Sequence, residues 1–368
     1  MLSLSDFWRR HGRKILVSAG VLGGGYFLYK LYSEHQRRLA DLERKLADER
    51  KNDELIKAQM QAHFESIQRI AGTATLPHVL HYLSGQIAEE LDLSELTERL
   101  KKGKGQPNTL TPSEKVELWD KLKILSFTRM AVALWAVTMV SLYIRVQVNI
   151  LGRRLYIDTA HFHSHSLEDV DLIGHDDEQK FLSSADFLAN DGLLALISNM
   201  QAAVAEVLKG KQLRDFFDTT MLHKTIMQIL NTFMNSGSPY RWVDYLMPAN
   251  ARKLATASNS DDVALAETTK FDQLMVEAQA VLLSAEFYRI TEISLQVVVE
   301  ALVDEIQAQF TGGNLASGIE LARLVPRVAQ VGPSLLEEPS RNRFLKAIQS
   351  VEGVELFFTI LYANMPNS

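Results

Sequence analysis

Along the chain apolar residues recur every three or four positions and show little one-by-one alternation, a pattern that predicts helices and no credible set of strands. The most distinctive stretch begins at Thr111-Pro112-Ser113-Glu114. It reads as a capping box: a threonine side chain for the first free N–H groups, proline at N1, and a glutamate at N3 to reach back. Val116, Leu118, Leu122, Leu125 and Phe127 then keep near-helical spacing, and Met130 to Ile144 carries no charge between Arg129 and Arg145. A helix apolar on every side must be buried in protein or in lipid. These 15 residues reach only about 22 Å, short of the ~30 Å hydrocarbon layer of a bilayer. The stretch is therefore expected to be a core helix.

The same spacing predicts a helix from Pro77 to Lys102, with Leu80, Leu83, Ile87, Leu91, Leu96 and Leu100 on its apolar face, followed by a basic loop from Lys101 to Pro107. Later helices are expected over 181–188, 193–208, 213–234, 263–283, 288–310, 319–331, 340–350 and 354–362. Breaks at Gly210, Ser236 to Pro239, Ala257 to Ser260, Gly312-Gly313 and Glu337 to Pro339 have ordinary connector length. There is no repeat of fixed period and no linker long enough to divide the chain. One all-α domain of long helices from about Glu34 to the C-terminus is the economical reading.

The N-terminus has a different character. Arg9, Arg10, Arg13 and Lys14 precede an uncharged run whose candidate membrane-anchoring residues are Ile15, Leu16, Val17, Leu22, Tyr26, Phe27, Leu28 and Tyr29. Carried on to Tyr32 with Lys30 snorkelling, the run has 18 residues, barely enough for a thin bilayer. Its aromatic far end resembles an interfacial belt. A cleavable signal peptide or targeting presequence shares this basic-then-apolar form, though no convincing small-residue cleavage site follows. Basic residues on the two sides balance, so charge counting leaves the orientation open. From Glu34 to Ile70 the chain is charged and helix-forming, with Glu34/Arg38 and Asp41/Lys45 as i,i+4 pairs. Polar residues in its seam favour a long amphipathic helix, ended by Gly72, over a coiled coil.

Net charge −6 and a pI near 6.0 argue against nucleic acid as a partner. Without cysteine there are no disulfides and no cysteine-based metal or thiol chemistry. His161, His163, His165 and His175 lie among acids in a segment read as a loop from Asp158 to Glu178; as an extended strand it would align three of the imidazoles on one face, so a surface metal site is chemically possible there. Structural zinc more usually brings cysteine or helical histidine spacing, and no metal is assigned. Phosphate-loop, dinucleotide, zinc-protease, nucleophile-elbow and EF-hand motifs are all missing. The chain reads as a binding protein, not an enzyme, with no cofactor and no small-molecule substrate expected.

Several stretches resemble one family, peroxin-3. They are His63-Phe64-Glu65-Ser66 with Gln68-Arg69, the run from Glu117 through Trp119-Asp120-Lys121-Leu122-Lys123 to Arg129, Arg145 to Gly152, and Leu155 to Asp158, with weaker echoes at Phe181 to Ser184 and Asp191 to Leu193. The resemblance implies a docking factor for newly made peroxisomal membrane proteins. It divides the chain into a basic segment (1–14), a transmembrane anchor (15–32) and one cytosolic bundle of long helices (33–368), at the peroxisomal membrane with the N-terminus in the matrix. It also implies a hydrophobic groove that receives an amphipathic helix of peroxin-19, the soluble chaperone of membrane-protein cargo. The groove's tryptophan corresponds to Trp119, with Leu122 one turn on, Lys115 one turn before, and Leu100 as the upstream leucine. By itself a tryptophan on an amphipathic helix more often faces the core; the resemblance favours the groove, with Lys115, Glu117, Asp120, Lys121 and Lys123 as its charged rim. Two other classes fit the pattern of residues alone, a membrane-anchored helical scaffold or tether and a membrane-bound enzyme.

Overall fold

In the computed structural model the chain divides into two compact units, Met1–Ala62 and His63–Ser368. The structure describes residues 69–105, 111–164, 175–237, 240–248, 269–310 and 315–363, with a few isolated positions before 69. The second unit carries the helical bundle. The expected anchor at 15–32, the expected amphipathic stretch from Glu34 to residue 68 but for those isolated positions, the center of the histidine segment and the breaks at 257–260 and 312–313 lie outside the described residues.

From residue 69 the chain is already helical, and it passes without a break through a π-helical turn, Ala71–Thr75, into α1 (Leu76–Glu90). Gly72 therefore does not end a helix: it keeps helical dihedrals, and nothing lies within 4 Å of where a Cβ would stand. The single helix expected to Lys102 is two. Leu91 leaves helical geometry, Asp92 accepts the Ser94 N–H at 2.9 Å, and α2 (Ser94–Gly105) starts from that cap. α2 also takes up most of what read as a basic loop.

The expected cap at Thr111 forms as a reciprocal pair. The Thr111 N–H donates to Glu114 Oε2 at 2.7 Å, and the Glu114 N–H donates to the threonine hydroxyl at 3.2 Å. The Thr111 N–H and, at 2.8 Å, the Thr111 hydroxyl both donate to Glu114 Oε2 and hold its carboxyl below the usual carboxylate range. α3 (Pro112–Ser164) then runs 53 residues, about 80 Å. It extends through His161 and His163, so the strand that would have aligned the imidazoles does not form there. Among the described residues no group of three or more potential ligands could hold a metal.

The remaining helices are α4 (His175–Ser183), α5 (Leu193–Val207), α6 (Thr219–Met234), α7 (Lys270–Leu282), α8 (Ala285–Ala308), α9 (Leu321–Leu335), α10 (Arg343–Gln349) and α11 (Glu352–Ala363). A two-residue antiparallel ladder, Phe216–Phe217 with Ile319–Glu320, is a small exception to the all-helical expectation. Among the described residues α3 touches each of the other ten helices, which explains its apolar circumference. Every residue from Met130 to Ile144 is buried. By length and composition α3 would pass for a membrane span, but 94% of its most apolar stretch is inside the protein.

Some polar side chains within this rod are satisfied by its own backbone, while Gln147 and Tyr143 reach Ser184 outside it. Thr128, Thr138 and Asn149 donate to carbonyls four residues back at 2.8 to 2.9 Å. At the center, Trp135 donates its indole N–H to Met234 Sδ at 3.3 Å and packs edge-on against Phe233 and Tyr245.

Candidate functional site

At the N-terminal end of α3 lies an open cleft of about 490 Å³, walled by α2, α3 and α9. Helical periodicity builds the α3 wall, since Trp119, Leu122 and Arg129 fall at i, i+3 and i+10 on one face. Leu122 is 4% exposed and Trp119 half-buried, packed against the core with its ring bordering the cleft. Val116, three residues before Trp119, is 58% exposed and continues the apolar strip outward. From α2 comes Leu100, half-buried, one turn after the buried Leu96. Three of the four residues proposed from sequence thus converge. Lys115 does not join them; it is exposed and outside the cleft lining.

Two aspects differ from expectation. Lys123 is not part of a charged rim, because only 6% of its side chain is exposed and its ammonium donates to Asp120 at 3.0 Å and to the Lys211 carbonyl at 2.8 Å. The third wall, Pro326, Ala329 and Gln330 of α9, has no counterpart in the sequence expectations. The one local hint is a proline inside a helical pattern: Pro326 has no N–H for the carbonyl one turn back and sits on the solvent side.

The charged groups in the cleft are Asp92, Glu98, Lys101 and Arg129. Ser94, through its hydroxyl and its backbone N–H, holds the Asp92 carboxyl below its ordinary range, with Arg129 adding to the effect. Burial lowers the Arg129 guanidinium against the opposing pull of Asp92, but arginine stays charged. Its Nε is sealed from solvent without a partner. Gly332 of α9 makes room for it, since a Cβ there would lie 3.4 Å from that nitrogen.

A larger depression of about 610 Å³ lies between the start of α1, the middle of α3 and α10–α11. Its arginine, Arg145, is already committed, bonded to Glu355 at 2.8 Å and stacked 4.2 Å over Phe358. The smaller cleft is the better candidate because it gathers the apolar residues singled out in the sequence.

Fold and cleft together define, among the described residues, a mostly helical protein packed around one buried helix, with an open apolar surface site at that helix's polar start. The chain belongs to the peroxin-3 family, whose model matches residues 6–114, 104–171 and 164–364. The likeness therefore covers nearly the whole chain, beyond the stretches singled out in the sequence. Among curated relatives, peroxisome biogenesis protein 3-2 of Arabidopsis thaliana is 57% identical over 98% of both chains. Peroxisome biogenesis protein 3-1 of the same plant is 56% identical over 98% of both. Peroxisomal biogenesis factor 3 of Homo sapiens is 29% identical over 98% of this chain and 96% of its own.

Proposed function

We propose that this chain acts in peroxisome biogenesis as a membrane-bound docking factor, and that the cleft at Trp119, Leu122 and Leu100 takes up an amphipathic helix of peroxin-19 carrying membrane-protein cargo. Membership of the family supports the biogenesis role, and the names of the relatives favor a binding protein over an enzyme. The observation that carries the groove is the convergence of Trp119 and Leu122 from α3 with Leu100 from α2 along one open apolar strip. Partner helices insert apolar anchors at such spacing, and a half-buried tryptophan is a frequent hot spot. Lys115, exposed one turn before Trp119 on the same helix, would meet the partner at the margin.

In this reading residues 1–14 form a basic leader, 15–32 the anchor in the peroxisomal membrane, and 33–368 a helical domain facing the cytosol. Resistance of the full-length protein to alkaline carbonate extraction tests the anchor; release into the supernatant would reject it. For the groove, the full-length chain in detergent micelles is titrated with a peroxin-19 N-terminal peptide, as wild type and as W119A. Truncating a hot-spot tryptophan costs roughly 2 kcal/mol or more, about thirtyfold in Kd. Equal affinity for the two proteins would rule out this cleft as the binding site.

A further inference from the structure

Among the cleft's four charged residues the two acids are hydrogen-bonded or ion-paired within the chain, whereas the two bases make no such bond among the described residues, Arg129 being attracted by Asp92 without a direct contact. Asp92 accepts the Ser94 N–H at 2.9 Å as well as the serine hydroxyl, and Glu98 pairs with Lys102 at 3.7 Å. Lys101 is exposed and solvated. Arg129 is half-buried, and among the described residues it makes no hydrogen bond or ion pair. Its Nε is closed off beside Gly332, so the terminal guanidinium nitrogens are the ones that remain for an acceptor in the cleft.

A partly desolvated guanidinium with no acceptor forgoes the charge-assisted hydrogen bonds that suit it best, and any occupant that displaces the remaining water from the cleft deepens that deficit. We infer that Arg129 is an anion-accepting subsite at the end of this cleft, and that the helix bound there presents an aspartate or glutamate carboxylate to it. The inference rests on the reading of the cleft as the place where an amphipathic helix docks. It specifies that helix further. Arg129 lies 7 to 10 residues beyond Leu122 and Trp119, about 10 to 15 Å along α3. A partner running along α3 therefore needs its acid about two to three turns from the residues seated on Trp119 and Leu122. Planar, two-pronged pairing makes arginine the suited residue, and lysine a poorer substitute.

The test uses the full-length chain in detergent micelles as wild type, R129Q, R129K and W119A. Each is titrated with the peroxin-19 N-terminal peptide and with a copy whose Asp and Glu residues are all Asn or Gln. We expect R129Q to weaken the acidic peptide about tenfold, R129K to fall between, and the neutralized peptide to bind wild type and R129Q alike. If W119A loses binding while R129Q matches wild type, the groove stands and the Arg129 subsite is overturned. If W119A also matches wild type, the groove reading fails and the subsite fails with it. Should R129Q not fold, the wild-type protein decides: equal affinity for the two peptides would overturn the subsite, and a loss on neutralization would support it.

Discussion

Gly192 closes the π-helical turn Leu188–Gly192 ahead of α5, with ordinary right-handed dihedrals (φ −80°, ψ −24°). Intrinsic propensity alone says that alanine there should stabilize the protein by about 0.5–1 kcal/mol. Packing says the opposite. A Cβ at this position would overlap the Tyr245 carbonyl oxygen and lie 2.9 Å from its carbon and 3.1 Å from its Cα. The obstacle is backbone and cannot rotate away. It belongs to a short 3₁₀ turn, Arg241–Tyr245, whose Trp242 and Val243 are 2% and 1% exposed. Moving that turn would disturb the edge-on packing of Tyr245 on Trp135 and its hydroxyl's 2.9 Å bond from Asn199. Overpacking of about 1–3 kcal/mol plus roughly 1 kcal/mol for the hydrogen bond outweighs the propensity gain of about 0.5–1 kcal/mol, so G192A should cost about 1–3 kcal/mol net. Gly85 of α1 is the control, exposed with nothing within 4 Å of its virtual Cβ, and G85A should gain about 0.5–1 kcal/mol. Urea unfolding followed by far-UV circular dichroism reads both signs. If G192A stabilizes the chain as G85A does, the close approach of the two backbones is wrong.

Two other expectations come from buried polar groups. Glu277 of α7 pairs with Arg153 and, at 3.0 Å, with Arg154 of α3, and side-chain exposures of 12% for Arg153 and 16% for Glu277 mark their pair as largely buried. E277Q removes the carboxylate charge that the two adjacent guanidiniums share and should cost about 2–4 kcal/mol; an unchanged urea midpoint would show that the pair is dispensable. Tyr143, fully buried in α3, has its phenol pushed up to about 12, chiefly by burial, with bonds from Ser184 and Gln147 pulling the other way. The folded chain thus keeps a proton that the unfolded chain releases near pH 10, so the contribution of this group to stability is level below about pH 10 and falls between 10 and 12. Burial raises Tyr245 and Tyr288 as well, so Y143F should remove part of that fall, which urea titrations between pH 8 and 11 would reveal. A pH dependence identical to wild type would exclude the assignment.

What the sequence determined by itself was whatever local rules govern. The capping box at Thr111 needs only four consecutive residues, and the apolar spacing of α5, α8 and α11 needs only the helical period. The uncharged run from Met130 to Ile144 had to be buried whatever its neighbors were, and counting its residues pointed away from lipid. Local rules also misled where a single side chain competed with the period. Asp92 capped Ser94 and divided one expected helix into two, whereas Gly72, an expected stop, was carried through.

The tertiary structure decided which neighbor each face meets. Lys123 reads as a surface charge, yet the Lys211 carbonyl, far along the chain, draws it inward. Leu100 and Trp119 become two sides of one cleft only because α2 folds back against α3, and the third side is Pro326, Ala329 and Gln330 of α9. Arg129, at the end of a motif that resembles the family, has its room beside the distant α9 only because Gly332 carries no side chain there. Spacing along a helix is set by backbone geometry and is visible in a string of letters. The partner of a side chain is set by the packing of distant segments, and no local period encodes it.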